Sequence, residues 1–191
     1  MQNSSHNVIR TKEDWPDETI YFLTDSTFLH FPYFDSYEKK LIVLEQIKKI
    51  KKDLGIPVSA YSIAINHYHL KFYLKRGKRL TEIKRLLRGG ITYEYKKRYS
   101  IPYNEMWQTR KILRINSHDI DWRVTGYIIG NLIKHKEVST FQRLKENIFS
   151  SYGYMADKYG DEEIEDLVRT VIAIEEDSWG RTDIINFESD I

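Results

Sequence analysis

Residues 65–74 read Ile65-Asn66-His67-Tyr68-His69-Leu70-Lys71-Phe72-Tyr73-Leu74. Side chains alternate between the two faces of a β-strand, so this stretch predicts one apolar face and one polar face. The apolar face would carry the even-numbered residues Tyr68, Leu70, Phe72 and Leu74. The polar face would carry His67 and His69, followed by Lys71 and Tyr73. Two imidazoles at positions i and i+2 can bind one divalent metal ion, although two ordinary surface histidines would produce the same pattern.

The residues around this stretch predict alternating strands and helices. Alternating aromatic and β-branched residues indicate strands, and apolar residues spaced three and four apart indicate helices. Besides residues 65–74, strands are expected at 18–27, 58–65 and 112–115. Helices are expected at 36–54, 80–99, 118–135, 141–148 and 161–176, with a turn at 150–153. This order predicts an α+β fold of the ferredoxin-like, RRM-like type, in which helices pack on a mostly antiparallel sheet and a helical C-terminal extension follows.

Local signals mark several of these boundaries. Ser36 and Ser117 precede predicted helices as good N-cap residues. Gly55 follows the first helix at the place where a C-terminal glycine is common. Asn66 is expected to form the tight turn that joins the strand 58–65 to the histidine strand, so that the two pair as a hairpin.

The composition is that of a soluble globular protein. Charged residues make up 30% of the 191 residues and hydrophobic ones 41%, which argues against intrinsic disorder. The chain has no cysteine, which excludes disulfides, thiolate metal ligands and a cysteine nucleophile. No apolar run approaches the ~20 residues of a membrane span, and no signal peptide opens the sequence. We therefore expect a cytoplasmic protein of one domain, or one domain with an extension, and no membrane partner.

The net charge of +2 conceals a strong asymmetry along the chain. Residues 75–98 contain ten Lys and Arg against two Glu, a net charge of +8. Residues 151–191 contain twelve Asp and Glu against three Lys and Arg, a net charge of −9. A basic middle segment favours binding of a polyanion, and an acidic end would stay away from it. Two ordinary solvated helix faces would give the same charges.

A second constellation lies on the predicted helix 118–135. Tyr127 and Asn131 are four residues apart, so they share one face of the helix, one turn from each other. A tyrosine can act as a covalent nucleophile, and an amide oxygen can complete a metal site that two histidines begin. On its own, however, such a segment is more often helix packing with a surface amide.

The order of these motifs resembles that of the single-strand DNA transposases with one catalytic tyrosine, and most of all the REP-associated tyrosine transposases. His67-Tyr68-His69 resembles the HUH motif of that family, in which a hydrophobic residue separates two histidines. Tyr127 and Asn131 resemble its nucleophile and the amide residue four positions later. Three further segments also resemble segments of that family: Thr24-Asp25-Ser26-Thr27, Trp107-Gln108 and Ser150-Ser151-Tyr152.

The resemblance covers about residues 15–155 and has two departures. The family usually has Met-Pro before its Asn-His, where this chain has Ala64-Ile65. It usually has Pro after the amide residue, where this chain has Leu132. These changes leave the chemistry intact and are compatible with a domesticated copy.

The resemblance implies a transposase that cleaves and rejoins single-stranded, hairpin-bearing DNA through a 5′-phosphotyrosine intermediate. It implies Tyr127 as the nucleophile, and His67, His69 and Asn131 as ligands of one Mg²⁺ or Mn²⁺ ion. The HUH transposase domain would span residues 16–150, after a flexible N-terminus (1–15) and before an acidic helical extension (151–191). Both a monomer and a homodimer fit the resemblance.

The DNA is expected to lie along the basic segment. The residues expected to meet phosphates are Lys75, Arg76, Lys78, Arg79, Lys84, Arg85 and Arg88. Trp107 is expected to stack on a base, and Tyr73, Tyr93 and Tyr95 are further candidates for stacking.

Two other functions are compatible with the same residues. The first is a non-catalytic or domesticated regulator that binds single-stranded nucleic acid on the same fold. The second is a replication or plasmid-transfer nickase with related chemistry, against which the small size and the single tyrosine at this spacing argue.

Overall fold

The computed structural model describes residues 15–108 and 111–172. Its strands are β1 (Thr19–Ser26), β2 (Val58–Ile63), β3 (His67–Leu74) and β4 (Lys111–Ile115). Its α-helices are α1 (Tyr37–Leu54), α2 (Leu80–Lys84), α3 (Gly90–Lys96), α4 (His118–Lys134), α5 (Phe141–Lys145), α6 (Tyr152–Tyr159) and α7 (Asp161–Ile172). A π-helical turn, Arg85–Gly89, joins α2 to α3. Short 3-10 turns cover Phe28–His30 and Gly77–Arg79.

The four strands form one antiparallel sheet in the order β2-β3-β1-β4. β2 and β3 pair as the predicted hairpin. β1 pairs with β3 over its whole length, from Thr19 opposite Leu74 to Ser26 opposite His67. With its connections in the order β-α-β-β-α-β, this sheet has the ferredoxin-like topology. The predicted α+β fold is therefore confirmed.

Helices cover both faces of the sheet. On one face, Tyr68 donates to the carboxylate of Asp25, which also accepts from Arg88 of the π-helical turn. Helices α1 and α3 lie on this face and contact each other. On the opposite face, His67 and His69 contact Asn131 of α4. β3 therefore lies in the middle of the molecule, between two helical layers.

The polar face of β3 is buried. His67, His69 and Lys71 are 6%, 2% and 5% exposed, because α4 lies across them. The alternative of two surface histidines is therefore wrong. Tyr73, near the end of the strand, is the exposed member of the predicted polar face.

The predicted helix boundaries at serine and glycine are confirmed. Ser36 Oγ accepts from the backbone N–H of Lys39, and Ser117 Oγ accepts from that of Ile120. Gly55 ends α1 in the left-handed conformation, with φ of 62°, which glycine adopts without the steric cost of a Cβ.

The structure differs from the sequence-based prediction in two segments. The expected helix 80–99 is divided by the π-helical turn, and Gly90 marks a close approach to α1 rather than a weak helix. A Cβ at Gly90 would come within 2.5 Å of Gln46 Oε1. The expected turn at 150–153 is instead the start of α6, after Ser150 has formed a β-bridge to Ser62 of β2.

The acidic helix α7 packs on the outer face of α4. Gly126 and Gly130 make this contact possible, because their Cβ atoms would come within 2.8 Å of Leu167 Cγ and 2.4 Å of Val168 Cγ1. Glycine weakens a helix interior by about 1 kcal/mol, so close packing is the physical reason for both residues. The layers on this side of the molecule are therefore the sheet, then α4, then α7.

Some predictions fall on residues that lie outside the described ranges. These are nearly all of the expected flexible N-terminus and the acidic segment after Ile172. Within the described ranges, no helix is both long and apolar enough to cross a membrane.

Candidate active site

The two histidines and the amide predicted as metal ligands lie together beneath α4. His67 Nε2 is 3.0 Å from Asn131 Oδ1, and Asn131 Nδ2 is 3.1 Å from His69 Nε2. The centroids of the two imidazole rings are 4.9 Å apart. Asn131 is fully buried, so α4 closes this contact from bulk water.

Polar partners at the other ring nitrogens orient both imidazoles. His67 Nδ1 lies 2.7 Å from Asn66 Oδ1, and Asn66 is held this way because its Nδ2 donates to the carbonyl of His30. An amide oxygen only accepts, so His67 Nδ1 carries a proton, and a neutral ring with its proton there presents a lone pair at Nε2. His69 Nδ1 lies 2.9 Å from the hydroxyl of Thr24, which can accept in the same way.

The three side chains fit a divalent metal ion. When the neutral ring of His67 carries its proton on Nδ1, its Nε2 and the Oδ1 of Asn131 are both acceptors, and their 3.0 Å contact then contains no proton. When both neutral rings carry their proton on Nδ1, the amide group of Asn131 can donate to only one of the two Nε2 atoms. Its oxygen then faces the other Nε2 atom, whichever way the amide group is turned. A cation between these groups removes the mismatch. Imidazole nitrogens favour Mn²⁺ over Mg²⁺, which prefers oxygen.

Asn131 is essential to this fit. Within residues 15–108 and 111–172, no group of three His, Cys, Asp or Glu side chains is arranged to hold a metal ion. A third donor beside His67 and His69 would thus be the amide oxygen of Asn131, which a helix supplies rather than the sheet.

Tyr127 lies one helical turn before Asn131 and faces the same imidazoles. Its ring centroid is 5.2 Å from that of His69 and 6.3 Å from that of Phe22, in edge-to-face contacts. Tyr127 is 2% exposed, and Lys134 Nζ lies 5.0 Å from the centre of its ring. The predicted nucleophile is therefore beside the predicted metal ligands, beneath a cover of side chains.

Five residues beside the site were not assigned to it from the sequence. Thr24 and Asn66 orient the rings, and both belong to segments that the motif pattern had already marked. Lys134 and His135 follow Tyr127 and Asn131 at helical spacing, and the ring of His135 lies 4.7 Å from that of His67. Lys111 is brought opposite Thr24 by strand register, for which the sequence contained no signal.

Lys71, the next polar residue of β3, anchors the first half of α4. Its Nζ donates to Asp121 Oδ1 at 2.7 Å and to Thr125 Oγ1 at 2.5 Å. Its charge is therefore compensated within the fold. Asp121 contacts Lys71 and Asn131 contacts His67, so α4 runs antiparallel to β3. The polar residues of α4 that face the sheet therefore lie along the polar face of this strand.

Most of the predicted DNA-binding residues lie away from this site. Lys75, Arg76, Lys78 and Arg79 follow the end of β3 opposite to His67. Seven residue steps separate His67 from Leu74, which corresponds to about 23 Å of extended strand. Lys84 and Arg85 belong to the helical segment on the other face of the sheet. Contacts of these six residues with DNA stay a prediction. They would involve a part of the DNA that lies outside the site.

Arg88 and Trp107 are engaged within the fold. Arg88 donates through Nε and Nη2 to Asp25 Oδ1 at 2.8 and 2.6 Å. Trp107 Nε1 donates to Thr92 Oγ1 at 2.9 Å, and its ring centroid lies 5.8 Å from that of Tyr68. These bonds to Asp25 use only the Nε and Nη2 groups of the Arg88 guanidinium, so contacts of Arg88 and Trp107 with DNA stay predictions.

Comparison with known proteins gives a match in fold. No protein-family model and no curated protein sequence matches the chain. A protein from Deinococcus radiodurans R1 described as a candidate transposase has 13% identity and a TM-score of 0.46, over 63% of this chain and 95% of that one. A solved REP-associated tyrosine transposase, bound to a REP hairpin, has 17% identity and a TM-score of 0.62, over 76% of this chain and 83% of that one. The chain therefore has the fold of a REP-associated tyrosine transposase over most of its length.

Proposed function

We propose that this protein is a metal-dependent tyrosine transposase that cleaves and rejoins single-stranded, hairpin-bearing DNA. One observation carries the proposal: α4 brings Tyr127 and Asn131 against the imidazoles of His67 and His69 on β3. The shared fold with a solved tyrosine transposase supports it. The same four side chains were picked out by motif order in the sequence.

His67, His69 and Asn131 would hold one Mn²⁺ or Mg²⁺ ion. When bound, such an ion acts as a Lewis acid toward a phosphodiester. Asn66 and Thr24 hold the two rings with their Nε2 atoms toward Asn131. Supporting partners of this kind are commonly worth about 10- to 100-fold in metal affinity.

Tyr127 would supply the nucleophile. Its phenolic oxygen attacks phosphorus and forms a 5′-phosphotyrosine, while the bond between phosphorus and the 3′ oxygen breaks. The phenolic proton leaves to solvent and the 3′ oxygen takes up a proton, which yields a free 3′-hydroxyl. Attack of a 3′-hydroxyl on the adduct reverses these changes. Rejoining therefore needs no ATP, because one ester is exchanged for another.

The position of the basic residues suggests how a hairpin would lie. The 23 Å estimated between His67 and Leu74, the residue before the basic segment, corresponds to about seven base pairs of duplex. A stem bound along Lys75, Arg76 and Lys78 would then place the adjoining single strand at the histidines. A stem much shorter than this would not reach both.

The burial of Tyr127 favours a second candidate, a non-catalytic regulator that binds single-stranded nucleic acid on the same fold. At 2% exposure, the phenol meets a phosphate only if the side chains above it move, including Lys134. A regulator requires no such movement, and in it Tyr127 would be a packing residue against Phe22 and His69.

Formation of a covalent adduct distinguishes these two functions. Hairpin-bearing single strands are incubated with the protein and Mn²⁺, and a denaturing gel then reports a protein–DNA adduct. We expect the adduct in the wild type and none in Tyr127→Phe, which lacks only the hydroxyl and should bind the DNA equally well. DNA binding without an adduct at any Mn²⁺ concentration would support the regulator. An adduct that persists in Tyr127→Phe would assign the chemistry to another residue.

A further inference from the structure

Lys134 lies beside the candidate nucleophile on the same helix. It follows Tyr127 by seven residues, and its Nζ is 5.0 Å from the centre of the Tyr127 ring. Residues seven apart share one face of a helix, so α4 itself holds Lys134 on the side of Tyr127. Its ammonium group is therefore within reach of an anion that approaches the phenol.

Lys111 approaches the same place from the sheet. It is the cross-strand neighbour of Thr24, whose hydroxyl lies 2.9 Å from His69 Nδ1. Directly opposed residues of an antiparallel sheet project from the same face, with Cβ atoms about 5 Å apart. Lys111 therefore projects on the α4 side of the sheet, one strand beyond Thr24, and it is partly exposed.

Other basic residues around β3 are poorly placed to meet an anion at Tyr127. Lys71 is buried and bound to Asp121 and Thr125. Arg88 lies on the opposite face of the sheet and binds Asp25. The cluster that starts at Lys75 is about 23 Å from His67 along the strand.

We propose that Lys111 and Lys134 together bind the phosphate group that Tyr127 attacks. The inference deepens the proposed function and rests on it. A phosphodiester carries one negative charge on two non-bridging oxygens, and lysine is a common ligand of such groups. One lysine would reach it from the sheet and the other from the helix. A phosphate bound to Lys134 would also draw this side chain off the ring of Tyr127, which uncovers the nucleophile.

The expected effects follow from the loss of a charged phosphate contact. Each of Lys111→Gln and Lys134→Gln should lower the salt-dependence slope of single-strand binding by about 0.7. Each should lower kcat/KM for adduct formation by about 10- to 100-fold, as for loss of a charge-assisted hydrogen bond. Lys134→Arg should restore most of the rate, because arginine also binds phosphate. Lys52→Gln is the matched control, since it removes an exposed lysine of α1 on the other face of the sheet.

The first experiment measures binding without chemistry. A single-stranded oligonucleotide is titrated at several salt concentrations into Tyr127→Phe protein that carries each lysine change, and thermal unfolding confirms that each variant is folded. Lower slopes for the Lys111 and Lys134 variants, with an unchanged slope for Lys52→Gln, would support the proposal. Unchanged slopes for both would overturn it. Lys134→Arg replaces Lys134→Gln if the latter fails to fold, and it should then keep the wild-type slope.

The second experiment places the contact at the reacting phosphate. The linkage that the wild type cleaves is replaced by an uncharged methylphosphonate, and binding to the Tyr127→Phe variants is measured again. We expect the effect of each lysine change to disappear on this substrate. An effect of the same size would mean that the lysines bind other phosphates, which overturns the proposal. A wild type that forms no adduct would instead refute the proposed function, and the first experiment would still decide whether the lysines bind phosphate.

Discussion

Asn131→Ala should weaken both the metal-free fold and the binding of metal, and the two losses can be measured separately. The amide of Asn131 is fully buried and contacts both imidazoles, at 3.0 and 3.1 Å. Of these two contacts, only one can contain a donated proton while both rings are neutral and protonated at Nδ1. The variant therefore leaves about one buried acceptor unsatisfied, which costs about 1–3 kcal/mol of unfolding free energy in the absence of metal.

The stability that bound metal adds should fall by a similar amount in Asn131→Ala. At a Mn²⁺ concentration one hundred times the wild-type Kd, bound metal adds about 2.7 kcal/mol to the unfolding free energy. Loss of a ligand that weakens binding about 100-fold would leave about 0.4 kcal/mol of this stabilisation. Asn131→Asp keeps an oxygen donor and adds a negative charge, so it should keep the full increment or exceed it.

Urea denaturation of the three proteins, with Mn²⁺ and with EDTA, measures both quantities. If Asn131→Ala gains as much stability from Mn²⁺ as the wild type does, Asn131 is not a ligand. If it loses no stability in EDTA, the hydrogen bonds to the imidazoles carry no net energy. Either result would refute the reasoning from the three converging acceptors.

Two further predictions concern the packing at Gly130 of α4 and the burial of Tyr152 in α6. Gly130→Ala should lower the unfolding free energy in urea by about 1–3 kcal/mol, because its Cβ would come within 2.4 Å of Val168 Cγ1. Gly89→Ala should not lower the unfolding free energy, because nothing lies within 4 Å of the Cβ atom that it adds. Burial, helped by the acidic residues of α7, raises the pKa of Tyr152 to about 12 from 10.0 in the unfolded chain. This contribution to stability should be intact below pH 10 and should fall by about 2–3 kcal/mol as the pH rises to 12. In urea denaturation, the stability of Tyr152→Phe should therefore fall by that much less than the stability of the wild type over this pH range.

The parts of the fold that the sequence predicted correctly are those set by local spacing. The alternation in residues 65–74 placed His67 and His69 on one face, and the register of β3 bears this out. The caps at Ser36 and Ser117 and the glycine at Gly55 act within one helical turn. Each of these signals depends on neighbours in the chain, so the sequence contains it directly.

The parts that the sequence did not predict depend on contacts between distant segments. The ion pair from Lys71 to Asp121 sets α4 against β3, and it joins residues fifty positions apart. α4 packs over the polar face of β3 and buries it, and this contact joins the two elements. Lys111 comes opposite Thr24 only because β4 pairs with β1, and a charge count could not place it there. The basic segment 75–98 was conspicuous in composition, whereas Lys111 and Lys134 were not.

The position of α4 also explains how an acidic helix can belong to a domain proposed to bind DNA. α7 turns Ile164, Val168 and Val171 toward the core, while its acidic first turn is exposed. Because α7 packs on the outer face of α4, the thickness of one helix, about 10 Å, separates it from the imidazoles. The Debye length at physiological ionic strength is about 8 Å, so exposed charges at that separation are largely screened. The glycines of α4 allow this contact, so α7 packs on the side of α4 that faces away from the imidazoles.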